Sequence, residues 1–103
     1  MRFKARGVES DDVARAKKTT LQALDGWLDE VRKLGIEGLV EKKNGAFYQR
    51  RVGILHFHED EDGVYADVKV DGQWTRVPIN NLEGKRHVIQ LLMRGYIAKP
   101  AAP

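Results

Sequence analysis

Residues Val64 to Ile79 read as one β-hairpin whose register is already set. Val64, Ala66, Val68 and Val70 alternate with Tyr65, Asp67 and Lys69, the two-residue period of a strand with one buried face. Asp71-Gly72 then supplies a two-residue turn of the kind in which both positions take positive φ. Such a turn fixes the pairing. Val68 must oppose Thr75, Ala66 Val77 and Val64 Ile79 on one face. On the other, Lys69 opposes Trp74, Asp67 opposes Arg76 and Tyr65 opposes Pro78. The first set is apolar, and the second offers a cation–π pair and an ion pair. Turn chemistry and hydrophobic pattern agree independently.

The preceding strand must match this division. Leu55 and Phe57 suit the core, because an unpaired buried imidazole is unfavourable. His56 and His58 then fall on the opposite face, with Val52 and Ile54 beside them. Before that strand, Asn44-Gly45 between two strand-like runs signals another hairpin, with both turn residues at positive φ. Gly53 marks a bend or bulge near Arg50-Arg51-Val52.

Helical segments flank the strands. Ser10 can cap a helix whose first turn holds Asp11 and Asp12 at the positive end of the dipole. Apolar residues at Val13, Thr20, Leu24, Trp27, Leu28, Val31 and Leu34 keep near-helical spacing, most firmly over Leu21–Lys33. Asp25-Gly26 can break the helix in two, and Gly35 can end it. Asn80-Asn81 offers a cap for a second helix with Leu82, Val88, Leu91 and Leu92 on its apolar side. Gly84 weakens that helix's first turn and Gly95 ends it. The expected fold is α+β: helix, four-stranded antiparallel meander sheet, helix, with both helices on one sheet face. The 103 residues suit one domain over residues 10–95. A basic arm or edge strand over residues 1–9 and a disordered tail over residues 96–103 complete the chain.

The sheet face left open gathers His56, His58, Tyr65, Asp67, Lys69, Trp74 and Arg76. Aromatic residues with an arginine are what protein interfaces concentrate, so this face is expected to bind another protein or a second copy of the chain. A second expectation is a divalent metal. His56 and His58 lie roughly 7 Å apart along a strand on one face, and Asp67 or Glu59 could complete a ligand set suited to zinc, iron or manganese. The acidic run Glu59–Gly63 lacks calcium-loop spacing, since Lys69 stands where a bidentate glutamate would be needed.

A third expectation is nucleic acid. Arg50, Arg51, Lys85 and Arg86 are basic pairs that would track phosphates, with Tyr48, Tyr65 and Trp74 for stacking. The formal net charge of +3 permits this without demanding it. The signatures of the common RNA-binding modules are missing.

Covalent catalysis has little to work with. The chain has no cysteine, and its only serine is Ser10. A general-base histidine at His56 beside Asp67 is the remaining catalytic option. Absence of cysteine also fits a reducing compartment, and no run approaches the ~20 apolar residues of a membrane span. The expectation is a cytoplasmic binding module without a required cofactor.

Overall fold

The hairpin forms in the register its turn dictates. In the computed structural model, which describes residues 14–97, Val68 faces Thr75, Ala66 faces Val77, Asp67 faces Arg76 and Lys69 faces Trp74. Asp71 and Gly72 take φ of 51° and 79°, the left-handed pair that matches strand twist.

In chain order the elements are β1 (Ala14–Arg15), α1 (Lys18–Ala23), α2 (Asp25–Arg32), β2 (Leu39–Glu41) and β3 (Phe47–Gln49). Then come β4 (Val52–Asp60), β5 (Gly63–Val70), β6 (Gln73–Pro78) and α3 (Leu82–Tyr96). The class is α+β with an open antiparallel sheet. Strands β2 to β6 form a meander in sequence order, and β1 pairs with β4. Because β5 occupies one side of β4 along its second half, β1 extends the side that β3 occupies along the first. Among the described residues, six strands and three helices thus replace the expected four and two.

The extra elements have local causes. Ala14 and Arg15 were expected inside the first helix. They pair instead with Glu59 and His58, and the Ala16 N–H donates to the Phe57 carbonyl. The stretch of β4 beyond β3 would otherwise keep an unpaired edge, and tertiary pairing overrides helical propensity there. The expected cap at Ser10, the Asp11-Asp12 turn and the basic arm lie outside the described residues. The helix breaks at Leu24, just before the Asp25-Gly26 pair that could divide it, so the stretch Leu21–Lys33 is not one continuous helix.

Buried residues of all three helices join one core with the sheet. Leu21, Leu28 and Val31 from α1 and α2, and Val88 and Leu92 from α3, cluster with Phe47, Leu55, Phe57, Ala66, Val68 and Val77. Arg32 ties α2 to the β2–β3 hairpin. Its Nε donates to Glu41 Oε1 at 2.8 Å and its Nη2 to Glu41 Oε2 at 3.1 Å. The same Oε2 accepts the Gly45 N–H at 2.9 Å. These bonds hold the Glu41 carboxyl below the usual carboxylate range, Arg32 first. They also explain why Asn44-Gly45 does not form the expected two-residue turn. Lys42 N–H donates to the Ala46 carbonyl, and positive φ falls on Lys43 and Gly45 rather than on Asn44. The loop is longer and the register one residue away.

Helix α3 starts as anticipated, with the Asn81 side chain accepting the Gly84 N–H at 2.8 Å. It does not stop at Gly95. Tyr96, expected to open a trailing tail, belongs to α3 and donates its hydroxyl to the Lys69 carbonyl. Among the described residues no helix is long and apolar enough to cross a membrane.

Candidate functional site

A bulge decides which side chains share the sheet face that points away from the core. Phe47 faces Leu55, but the next residue of β3, Tyr48, faces Gly53, so Ile54 is an inserted residue in β4. The insertion reverses the alternation. Ile54 joins the core beside Leu55, which corrects its expected place on the histidine face. Gly53 takes that place instead. A Cβ built on Gly53 would stand 3.2 Å from His56 Nε2, 3.5 Å from Tyr48 Cε2 and 3.8 Å from Trp74 Cη2. Three rings therefore converge above a residue that has no side chain.

Two neighbouring groups make up the face. The first is this ring cluster and its cations. His56 and Trp74 lie 4.3 Å apart between ring centroids. Lys69 Nζ lies 4.9 Å from the Trp74 ring, and Lys42 Nζ lies 4.9 Å from the Tyr48 ring. Val40, opposite Tyr48, is half exposed at the rim. Tyr48, Lys42 and Gly53 were not among the expected binding-face residues. Only the bulge brings them in, and the lone signal for it in the sequence is Gly53 within a strand.

The second group is built on Asp67, in the middle of β5. Although it points away from the core, it is only 1% exposed. Arg76 donates Nε to Oδ1 at 2.8 Å and Nη2 to Oδ2 at 3.0 Å, a bidentate pair. His58 Nε2 stands 3.2 Å from Oδ2. The Arg76 guanidinium also lies 5.8 Å from the Tyr65 ring, whose hydroxyl donates to Asp60 Oδ1 at 3.4 Å. The Asp67 carboxylate raises the pKa of Arg76.

Burial, the largest influence, pushes both imidazoles below their ordinary value. For His56 the positive Arg15 and the neighbouring His58 act in the same direction. For His58 the Asp67 carboxylate opposes the shift, while Arg76 and Arg15 reinforce it. Both rings are neutral at pH 7. An unfolded histidine, titrating near 6.5, takes up a proton before the folded one does. The stabilising contribution is therefore complete above the ordinary histidine value and is lost as pH falls through it toward the depressed folded value. Tm should decline between pH 7.5 and pH 5.5, and His56→Gln/His58→Gln should flatten that decline. A wild-type slope retained in the double variant would contradict the assignment.

The seven residues expected on the binding face all project from one side of β4, β5 and β6. His56, His58 and Asp67 each bring a ligand-type atom within 4.8 Å of the others, but Arg76 engages both oxygens of Asp67. Glu59 is not part of this group; it accepts the Lys17 N–H at 3.0 Å. His58 Nδ1 is buried and forms no hydrogen bond among the described residues. Of the expected phosphate-tracking pairs, Arg50 and Arg51 form the β3–β4 turn beside Tyr48. Lys85 and Arg86 sit on α3, in the helical layer.

Comparison with known protein families, with curated proteins and with solved structures returns no match to this chain. What the site does is therefore carried by its geometry.

Proposed function

We propose that the protein is a non-catalytic binding module and that its binding surface is the sheet face around Asp67 and Trp74. One observation carries this reading. Asp67 is buried with both oxygens held by Arg76 and one also touched by His58. The carboxylate and the guanidinium satisfy one another, and the same arginine also lies against Tyr65. A carboxylate so engaged is a poor general base and a poor metal ligand. It is a good support for a surface of fixed shape, and fixed aromatic groups lose little entropy on binding. These rings do not belong to the buried core and are only partly buried.

A Tyr48→Ala/Trp74→Ala variant tests the proposal. Affinity capture from a lysate is expected to recover bound material with the wild type and to lose it with the variant, whose Tm stays within a few degrees. Equal recovery from both would contradict the proposal.

A second reading, a divalent metal between His56, His58 and Asp67, is favoured by the 4.8 Å grouping of their ligand-type atoms. It requires Arg76 to release Asp67, since a guanidinium there repels a metal cation. On that reading zinc raises the Tm of the wild type, and His56→Ala/His58→Ala abolishes the rise.

A further inference from the structure

The sheet has two two-residue turns at the same end, and they answer one backbone demand in opposite ways. The β5–β6 turn uses Asp71-Gly72, residues that accept positive φ readily. The β3–β4 turn, between the paired residues Gln49 and Val52, uses Arg50 at φ 52° and Arg51 at φ 70°. Residues with a Cβ, Asn and Asp apart, are disfavoured in that region, and two in succession make the turn strained. Strain that persists where a simple substitution would relieve it points to a function. Both arginines are exposed, and among the described residues neither forms an ion pair.

The turn continues the strand that carries Tyr48, so its charge lies beside the ring cluster over Gly53. Lys42 and Lys69 border that cluster, each over an aromatic ring and neither in an ion pair among the described residues. Two cations thus lie over Tyr48 and Trp74, and the adjoining turn adds two more, against Asp71 in the neighbouring turn. The acidic residues Glu61 and Asp62 turn the chain at the opposite end of β4. Charge and stacking surface coincide at one end of the face. A protein partner would need aromatic complementarity but not this cluster of unpaired cations. A single-stranded polyanion with exposed planar bases needs both.

We infer that the partner of this face is single-stranded nucleic acid, with bases stacked on Tyr48 and Trp74 and phosphates held by Arg50, Arg51, Lys42 and Lys69. The inference rests on the sheet face being the binding surface. Double-stranded nucleic acid fits less well, because its bases are already stacked and cannot reach the rings.

Fluorescence anisotropy with labelled oligothymidine and oligouridine strands of about 20 nucleotides tests it. Separate arms distinguish DNA from RNA, and a duplex of matching length measures charge alone. Four phosphate contacts predict that log K falls with log salt at a slope of about −3 on a single strand. Trp74→Ala should weaken binding about tenfold. The decisive variant is Arg50→Asn/Arg51→Gly, which restores the residues that the turn favours. It should raise Tm by roughly 5 °C, lower affinity and reduce the slope to about −1.4.

Absence of single-strand binding at low salt overturns the inference. So does equal duplex affinity, or a slope that the turn variant leaves unchanged. If the oligonucleotides fail while capture by the wild type still exceeds that by Tyr48→Ala/Trp74→Ala, the face binds another class of partner, a protein foremost, and only the nucleic-acid inference falls. If both fail, the binding surface falls with it.

Discussion

Gly84→Ala is expected to lower Tm by roughly 15 °C, a loss of about 3 kcal/mol. The cause is backbone proximity. A Cβ on Gly84 would stand 1.9 Å from the Pro78 carbonyl oxygen and 3.2 Å from the Ile79 Cα. Neither atom can rotate away, so α3 would have to lift off β6 and open the contact that buries Val88, Leu91 and Leu92. Intrinsic helix propensity works in the other direction, favouring alanine by up to about 1 kcal/mol. Gly95 and Gly26 are the controls. Both lie in helices, and a Cβ at either position would meet nothing within 4 Å, so alanine there should be neutral or stabilising. Thermal melts of the three variants check this. An unchanged Tm for Gly84→Ala would mean that α3 is not seated against β6 as described.

Arg76→Met is expected to destabilise the protein by about 3–5 kcal/mol at pH 7. Arg76 is itself only 17% exposed, and its loss leaves the Asp67 carboxylate buried with His58 as its remaining neighbour. The greater part of this penalty is the uncompensated charge rather than the value of the bond. Replacing both partners should therefore recover most of it, since well-packed apolar residues commonly match a buried ion pair. Asp67→Val/Arg76→Met should unfold at denaturant concentrations near the wild-type midpoint and well above those of Arg76→Met. Additive losses in the double variant would show that the pair does not act as a unit.

These two results bear on different aspects of what the chain discloses. The β5–β6 hairpin was legible because Asp71-Gly72 and the valine alternation specify the same pairing separately. Its register alone places Asp67 opposite Arg76 and Lys69 opposite Trp74. Ile54 was not legible, because parity carried back from Leu55 assumes an unbroken pleat, and one inserted residue reverses it. That reversal kept Lys42 and Gly53 out of the expected binding face, and Tyr48 entered only as a stacking residue of the nucleic-acid expectation. Asn44-Gly45 misled for another reason. Its turn preference is weaker than the combined pull of Arg32 and the Gly45 N–H on Glu41, which draws the hairpin one residue out of register. Gly84 reads in the chain as a weak point in a helix, and only the approach of β6 shows why it stands there. Arg50-Arg51 has no turn preference of its own, and only Gly53 marks a bend nearby. A turn made against residue preference cannot be read from preference.

The ring cluster over Gly53 is the centre of the account, and the Trp74 indole N–H reports on it directly. Titration of 15N-labelled protein with oligouridine at low salt should shift the Trp74 indole resonance together with the backbone amides of Tyr48, Arg50, Arg51 and Lys69. The Trp27 indole, buried in the core against Phe57, should stay in place. Unmoved Trp74 and turn resonances, or shifts confined to α3 around Lys85 and Arg86, would contradict the account.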